Sequence, residues 1–304
     1  MIEKLLNCQD GHKIQAYIWP NEKAKAWVHI NHGMAEHAKR YNDFAQQLVK
    51  AGYAVVAHNH RGHGTSETTK LGSYAKDNGW QKVLGDLDVV RDEICTNQLP
   101  YYLFGHSMGS FIVQSYLSHF SREIDGVILS GSNLQPVLLS KAGKFVAKIE
   151  RRRLGANNSS RLLQFLSFGS FNQTFKPNRT EYDWLSRDND QVDSYVSDPL
   201  CGFACSTGLW HDFLSALADL FKNGAIAKIQ NNLPIFILGG SQDPVGMMGK
   251  GLPKLANTYK ASGQKEVTLK LYQKGRHEML NETNQSEVYS DIINWLQAQQ
   301  APCV

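Results

Sequence analysis

One short segment has residue types and spacing that indicate nucleophilic chemistry. It is Gly105-His106-Ser107-Met108-Gly109, a G-x-S-x-G pattern that follows the apolar run 101–104 and precedes the helical run 111–120. This context predicts a sharp turn from strand to helix, which raises the serine hydroxyl clear of the sheet. The flanking glycines avoid the collisions that side chains would make in such a turn. We therefore predict Ser107 as a nucleophile in acyl transfer, the alternative being an ordinary turn serine.

A serine nucleophile needs a histidine to accept its proton and a carboxylate to orient that histidine. After a turn of this type the acid and the histidine follow in that order, each in a loop behind a later strand. Asp243 lies just beyond the apolar run 234–238, and His277 lies just beyond the run 267–272. The sequence therefore predicts a catalytic triad of Ser107, Asp243 and His277.

Other interpretations of the acid and the base remain open. Asp243 precedes a proline, so it also fits an ordinary Asp-Pro turn, and His277 also fits a surface loop. Among the later histidines, His119 falls in the helix that carries the nucleophile and His211 in a less regular segment. Glu278 is a competing carboxylate, but as the sequence neighbour of His277 it cannot easily face that ring.

Acyl transfer also needs donors for the negative charge that develops on the carbonyl oxygen. The amide of Met108 stands at the start of the helix after Ser107, where helix N-termini favour negative charge. A second amide is expected from the loop behind an early strand, and His32-Gly33-Met34-Ala35-Glu36-His37 follows the run 27–31. We predict an oxyanion hole formed by the backbone N–H groups of Met34 and Met108.

Positioning these loops requires a particular order of strands and helices. Short β-branched or aromatic runs alternate with helical patterns, which indicates right-handed crossovers and a mostly parallel sheet. The opening segment 5–19 alternates polar and apolar residues around the turn Asp10-Gly11 and predicts an antiparallel hairpin at the sheet edge. With the Ser, Asp, His order, this pattern predicts an α/β-hydrolase fold, with helices flanking the central sheet.

The alternation of strands and helices is lost between about Leu134 and Asn232, where polar and proline-containing breaks interrupt helical pieces rich in Leu and Phe. We interpret residues 1–133 and 233–304 as two parts of the hydrolase core and 134–232 as an inserted helical cap. The large apolar residues of the cap either line an acyl-chain pocket or pack the cap onto the sheet. These residues are Leu138, Leu139, Phe145, Val146, Ile149, Leu162, Phe165, Leu166, Phe168 and Phe171. The basic run from Lys141 to Arg153 either contacts anionic lipid or is a solvated helix face.

Composition narrows the possible classes of protein. The 304 residues carry a formal net charge of +4 with 42% hydrophobic and 20% charged residues, which excludes a disordered chain and argues against nucleic-acid binding. The five cysteines are odd in number and lack paired spacing, so we expect reduced thiols rather than disulfides or a zinc site. The N-terminus lacks signal-peptide features, and no apolar run is long enough to cross a bilayer. We therefore expect a cytoplasmic protein. Peripheral contact of the cap with a membrane stays open.

With these residues in view, the chain resembles the monoacylglycerol lipase and lysophospholipase family of α/β-hydrolases, which is sometimes grouped under the serine aminopeptidase-like hydrolases. The matching stretches keep the family's order over almost the whole chain. They are His32-Gly33-Met34-Ala35-Glu36-His37, Arg40-Tyr41, His60-Arg61-Gly62-His63-Gly64 with Ser66, Gly105-His106-Ser107-Met108-Gly109-Ser110, Asp243-Pro244-Val245, and Gly275-Arg276-His277-Glu278-Met279-Leu280-Asn281-Glu282. These stretches are specific to the family, but not to a substrate within it.

The resemblance implies roles for residues outside the triad. Glu36 and Arg40 are expected to line or brace the polar end of the pocket, where a glycerol-like head group would sit, or else to form a structural ion pair. The family usually has Asp at the position of Asn59, so this chain lacks a charge there. The spacing of His58, His60 and His63 (no accompanying set of carboxylates) argues against a metal, and the resemblance implies structural hydrogen bonds for them.

The function expected from these residues is hydrolysis of a lipid-type carboxylic ester, such as a monoacylglycerol or lysophospholipid, through an acyl-enzyme and without a cofactor. The expected partner is therefore a small-molecule lipid ester, not nucleic acid. An aminopeptidase, in which Glu36 would bind the substrate ammonium, and a thioesterase use the same machinery and stay open. A non-catalytic ligand receptor on the hydrolase scaffold is the alternative from another class.

Overall fold

A computed structural model describes residues 1–65, 68–96, 98–222 and 226–300; Ser66 and Cys303 lie outside these ranges. Eight strands form one sheet. They are β1 (Ile2–Asn7), β2 (Lys13–Trp19), β3 (Trp27–Asn31), β4 (Ala54–His58), β5 (Tyr101–His106), β6 (Gly126–Ser130), β7 (Ile235–Gly240) and β8 (Val267–Tyr272). The order across the sheet is β1-β2-β4-β3-β5-β6-β7-β8. Strands β3 to β8 pair in parallel, which confirms the predicted fold class.

The sheet edge contains the predicted hairpin. β1 pairs antiparallel with β2, and β2 pairs antiparallel with β4. Gly11 in the connecting turn has a φ of 82°, a left-handed conformation that glycine adopts without a steric penalty. The hairpin therefore adds an antiparallel edge to an otherwise parallel sheet, as the alternation of residues 5–19 predicts.

Helices cover both faces of the sheet. The longer helices are α1 (Asn42–Lys50), α2 (Gly79–Ile94), α3 (Met108–His119), α4 (Val137–Leu154), α7 (Asn189–Ser197), α8 (Thr207–Leu220), α9 (Gly251–Ala261) and α10 (Gln285–Ala298), with α5 (Arg161–Gln164) and α6 (Ser170–Gln173) as single turns. On one face, Val127 and Leu129 of β6 share a core with the buried sides of α2, α3 and α9. Ile128, between them, points to the other core with α1 and α10. Because side chains alternate along a strand, burial on both faces makes the central strands almost continuously apolar.

The segment between β6 and β7 contains α4 to α8 and a π-helical turn, Phe165–Gly169. α4 packs along α8, and α8 reaches the core through Phe213, whose ring lies 5.8 Å from those of Trp80 and Phe111. None of the described helices is both long and apolar enough to traverse a bilayer. Helices α4 to α8 thus lie between β6 and β7, within the range 134–232 that the sequence analysis interprets as a cap.

Candidate active site

Ser107 occupies a strained turn between β5 and α3. Its backbone lies at φ 52° and ψ −119°, and its N–H donates to the carbonyl of Ser130 at 2.9 Å. A Cβ on Gly109 would lie 2.1 Å from the carbonyl oxygen of Asn31, and one on Gly105 would lie 2.5 Å from the carbonyl oxygen of Gly109. Both glycines are therefore required by close backbone approach, which is the physical basis of the G-x-S-x-G pattern.

His277 and Asp243 meet at the carboxyl ends of two neighbouring strands. Asp243 follows β7 and His277 follows β8, and Nδ1 of the imidazole lies 3.0 Å from each carboxylate oxygen. Asp243 is fully buried and His277 nearly so. The carboxylate also accepts the N–H of Val245 at 2.9 Å, which holds it in place. This arrangement orients the imidazole with Nδ1 toward the acid, leaving Nε2 for a reacting hydroxyl.

Contact with the ring of His106 places the imidazole of His277 next to the serine turn. The rings of His106 and His277 are 4.7 Å apart, and His106 directly precedes Ser107. The backbone of Gly131 packs against both rings, because a Cβ at this position would lie 3.0 Å from Cε1 of each ring. The serine turn, His277 and Asp243 thus converge from β5, β8 and β7, although more than 130 residues separate Ser107 from Asp243 and His277 in sequence.

Trp184 is a site residue that the sequence analysis missed. Its ring lies 5.0 Å from that of His277 at an interplanar angle of 33°. The backbone N–H groups of His277 and Glu278 donate to the carbonyls of Trp184 and Leu185 at 3.4 and 2.8 Å. The segment after α6 therefore holds the loop of the base. Trp184 belongs to no motif, and only its place in the tertiary structure reveals the contact.

The loop behind β3 lies against the serine turn. A Cβ on Gly33 would lie 3.3 Å from Cβ of Ser107, and the N–H of Gly33 donates to Oε1 of Glu36 at 2.6 Å. Ala35 has a φ of 56°, a left-handed conformation that is unusual for a residue with a Cβ. This geometry brings the loop that carries Met34 beside the N-terminus of α3, which begins at Met108. Both predicted oxyanion residues thus lie on segments that adjoin Ser107.

Glu36 and Arg40 belong to a buried ionic network. Arg40 donates to Glu36 at 2.6 Å and makes a bidentate pair with Glu278 at 2.8 and 2.7 Å, while the hydroxyl of Tyr41 donates to Glu36 at 2.8 Å. Burial raises the pKa of Glu278, but the charge and hydrogen bonds of Arg40 outweigh it and hold that pKa at about 2. Of the two expectations for Glu36 and Arg40, this geometry supports an ion pair that braces the loop behind β3. Glu278 contacts Arg40 rather than His277, as its place in the sequence suggests.

The histidines of β3 and β4 form a second buried group. His29 bonds the hydroxyl of Tyr101 at 2.5 Å and His58 at 2.8 Å. Nε2 of His32 accepts the N–H of His60 at 3.0 Å. All of these rings are buried, and burial lowers the pKa of His29 to about 3 and those of His32, His58 and His60 well below 6.5.

The structure corrects one detail of the expectation for this group. His63 makes the expected structural bond, with Nδ1 3.0 Å from the carbonyl of Arg61. Neither ring nitrogen of His60 has a hydrogen-bond partner among the described residues, although the ring lies 4.2 Å from that of His32. His60 therefore packs as a ring instead of bonding through its nitrogens.

Asn59 stands where the family usually has Asp, and its side-chain oxygen accepts the N–H of Ala38 at 2.9 Å.

The environment of His277 suits a general base. Burial lowers its pKa, but the charge and hydrogen bond of Asp243 outweigh burial, so the pKa of His277 is raised above 6.5. Only the neutral ring can accept a proton. Activity is therefore expected to rise as pH increases through this raised pKa.

Replacing Asp243 with asparagine tests this expectation. The substitution removes the charge that raises the pKa of His277, so we expect the acidic limb of the pH profile to move to lower pH. Because the orienting acceptor is also lost, kcat falls by about 10³- to 10⁴-fold. The profile of kcat/KM against pH measures both effects, with the exposed Asp190→Asn as control. An unchanged acidic limb would contradict the proposed pairing.

A cavity of about 370 Å³ opens in the inserted helical segment near this site. Its lining includes Phe165, Phe168 and Tyr182. Phe168 stacks on Trp184 with ring centres 5.7 Å apart, and Trp184 contacts His277. Neither Ser107 nor His277 lines this cavity, so an aromatic pair separates it from the imidazole.

Comparison with known proteins places these features in a family. Residues 22–284 match the family described as serine aminopeptidase S33. The chain is 29% identical over 299 residues to a monoglyceride lipase of Rattus norvegicus, with 94% of this chain and 88% of that protein covered. It is 27% identical to a monoacylglycerol lipase of Mycolicibacterium smegmatis, with 94% and 93% covered.

A solved structure shows the same similarity in three dimensions. The fold matches a thermostable carboxyl esterase from Bacillus coagulans, solved with glycerol, at a TM-score of 0.90 and 26% identity over 98% of each chain. The family match covers most of the sequence, including the G-x-S-x-G turn, Asp243 and His277. The chain therefore belongs to the serine aminopeptidase S33 family of α/β-hydrolases.

Proposed function

We propose that this protein hydrolyses carboxylic esters of lipid type with Ser107 as nucleophile, His277 as base and Asp243 as the orienting acid. The observation that carries the proposal is the buried His277–Asp243 pair, at 3.0 Å, beside the strained serine turn. A buried base whose pKa is set by a carboxylate, next to a nucleophile, is the arrangement that acyl transfer requires.

The proposed reaction has two halves. Oγ of Ser107 attacks the ester carbonyl while Nε2 of His277 takes its proton, and the amides of Met34 and Met108 bind the oxyanion. The tetrahedral intermediate collapses with expulsion of the alcohol, which receives the proton from His277. Water then attacks the acyl-enzyme with His277 again as base, and the acid leaves as Ser107 is restored. The mechanism uses no cofactor.

The substrate class is proposed from the relatives and the apolar surroundings of the site. The named relatives are lipases of monoacylglycerols, and Trp184, stacked on Phe168, lies against the ring of His277. We propose a monoacylglycerol or lysophospholipid as substrate. An aminopeptidase would need a free carboxylate for the substrate ammonium, and Glu36 already accepts bonds from Gly33, Arg40 and Tyr41. This favours an esterase over a peptidase.

A competitive substrate panel tests the assignment. Purified protein is given a monoacylglycerol, a lysophospholipid, an acyl thioester and an amino-acyl amide of matched chain length, and kcat/KM is measured for each. We expect the highest value for one of the two lipid esters. A preference for the amide would establish a peptidase, and failure of every substrate together with failure to react with a fluorophosphonate would support the ligand receptor.

We also propose that residues 134–232 act as a cap that contacts lipid surfaces. The large apolar side chains Leu138, Leu139 and Phe145 of α4 are 81%, 61% and 64% exposed, and Phe165 in the π-helical turn is 54% exposed. These residues therefore do not all pack the cap onto the sheet. Exposed lysines lie on the same helix, including Lys141. Exposed apolar groups among basic residues favour an anionic lipid interface.

Vesicle binding measures this contact. We expect co-sedimentation with anionic phospholipid vesicles and a clear loss in the double substitution Leu138→Ser and Phe145→Ser, because about 0.8 kcal/mol is lost for each CH₂ no longer buried in lipid. The matched control is Val196→Ser, which replaces an apolar residue that is 50% exposed on α7. Equal binding by the control and the double variant would contradict a role for α4.

A further inference from the structure

A histidine, an aspartate and a cysteine converge away from the triad. Nε2 of His37 and Oδ2 of Asp198 are 2.8 Å apart, and one ring nitrogen of His37, one carboxylate oxygen of Asp198 and Sγ of Cys201 all lie within 4.8 Å of one another. His37 ends the loop behind β3, whereas Asp198 and Cys201 follow α7. Their separation in sequence explains why the spacing of cysteines in the chain shows no metal-binding pattern.

The donor set matches one class of ligand. Nitrogen, carboxylate oxygen and sulfur together suit Zn²⁺, which is held at about 2.0 to 2.3 Å by such atoms in a tetrahedral arrangement. Hard ions such as Mg²⁺ and Ca²⁺ prefer oxygen donors alone. Three protein donors leave a fourth position for water. The Cys201 thiol makes no hydrogen bond within the described part of the chain, so its sulfur remains available as a metal ligand.

Formal charge favours a cation at this cluster, whereas burial raises the pKa of the Cys201 thiol and so opposes the thiolate until an ion is bound. His37 and Cys201 are more than nine-tenths buried, while the side chain of Asp198 is 30% exposed and gives solvent access to the cluster. Arg40 pairs with both Glu36 and Glu278, and Asp198 is a third carboxylate in this region, so three carboxylates oppose one guanidinium by formal charge. The local charge is therefore net negative even with the thiol protonated.

We propose that His37, Asp198 and Cys201 form a binding site for Zn²⁺. Binding replaces the His37–Asp198 hydrogen bond with metal bonds, and the ion displaces the thiol proton to solvent, so that one Zn²⁺ enters as one H⁺ leaves. His37 coordinates through Nε2 as a neutral ring, so the proton that Nε2 shares with Asp198 in the hydrogen bond is transferred through solvent to Nδ1 and is not released.

The site joins the core to the inserted helical segment. Gly202 donates to the carbonyl of Ala35 at 2.9 Å, and the hydroxyl of Tyr195 donates to the same carbonyl at 2.8 Å. The ion would strengthen this junction, which includes Ala35, the residue directly after Met34 of the proposed oxyanion loop. Zn²⁺ would thus restrain the position of the cap against that loop. The inference does not depend on the substrate or on the proposed activity.

Co²⁺ is the probe, because cobalt bound to a thiolate has a near-ultraviolet charge-transfer absorption that Zn²⁺ lacks. The full chain, reduced and freed of metal by a chelator, is titrated with Co²⁺ and then with Zn²⁺. We expect a thiolate absorption that saturates at one equivalent and disappears when Zn²⁺ displaces Co²⁺. We also expect Zn²⁺ to raise the Tm, since both joined segments must separate on unfolding.

Variants decide whether this cluster is the site. Cys201→Ser should abolish the absorption and the rise in Tm, and Asp198→Asn, at a half-exposed position, should weaken binding at least tenfold without disturbing the core. Cys205→Ser, four residues away, is the matched control and should keep both signals. Absence of the thiolate absorption in the unsubstituted chain overturns the proposal. So does an absorption, or a Zn²⁺-induced rise in Tm, that survives Cys201→Ser, which would locate the ion elsewhere, for example at His277.

Discussion

Replacing Ser107 with alanine is expected to lower ester hydrolysis by at least about 10⁴-fold, because the variant has no nucleophile to form the acyl-enzyme. Residual activity would come from the oxyanion donors and from substrate binding alone. Stability should change little, since the N–H of residue 107 still donates to Ser130 and alanine has the same backbone restriction. The measurement is kcat on a chromogenic short- or medium-chain acyl ester.

A second readout distinguishes loss of the nucleophile from loss of folding. A fluorophosphonate should label the unsubstituted protein and fail to label Ser107→Ala at equal Tm. Ser118→Ala is the matched control, because Ser118 lies on the same helix and, among the residues that the structure describes, its hydroxyl bonds only to Ser115 and His119. Hydrolysis that persists in Ser107→Ala would remove this serine from the mechanism.

Mild acid is expected to unfold the protein through the buried histidines of β3, β4 and the loops that follow. Burial lowers the pKa of each ring, to about 3 for His29 and His63 and well below 6.5 for the others. The group consists of His29, His32, His58, His60 and His63. Below pH 6.5 the unfolded chain binds protons that the folded chain cannot bind. Stability is therefore lost as pH falls from 6.5 toward the folded-state pKa values.

The expected effect is large because the five rings act together. Each proton bound only by the unfolded chain contributes a slope of about 1.4 kcal/mol per pH unit, so the limit for five is about 7 kcal/mol per pH unit. A typical domain is stable by about 5 to 15 kcal/mol. The protein should therefore unfold within about two pH units below 6.5. The raised pKa of His277 acts in the opposite direction, but it is a single group.

Urea unfolding at several pH values between 7 and 5 measures this slope. His60→Leu removes one titrating ring whose nitrogens make no hydrogen bond in the described part of the chain, so we expect the slope of this variant to fall by about 1.4 kcal/mol per pH unit. His119→Gln, at an exposed position, should leave the slope unchanged. Stability that stays flat between pH 6.5 and 5 would show that the buried rings take up protons without unfolding. Carboxylates such as Glu278, with a pKa of about 2, lose their stabilising effect only below this range.

Local sequence determined much of this molecule. The alternation of apolar runs and helical periods predicted the parallel sheet, and Asp10-Gly11 predicted the edge hairpin, because strand and turn propensities depend on neighbouring residues. The G-x-S-x-G pattern predicted the strained turn, since only glycine fits where Gly109 meets the carbonyl of Asn31. Asp243 and His277 could be named because the fold brings the loops after parallel strands to one edge of the sheet.

Other features depended on the tertiary structure. No local pattern places Trp184 against His277, joins Asp198 and Cys201 to His37, or leaves the ring nitrogens of His60 without partners among the described residues. From the sequence, Glu36 and Arg40 are expected either to bind a head group or to form an ion pair. Their burial beside Glu278 favours the ion pair. The physical reason is common to all of these cases. A contact between distant segments is set by how the inserted helices pack on the sheet. Residue types and their spacing indicate only local preferences for strand, helix or turn, which do not determine that packing.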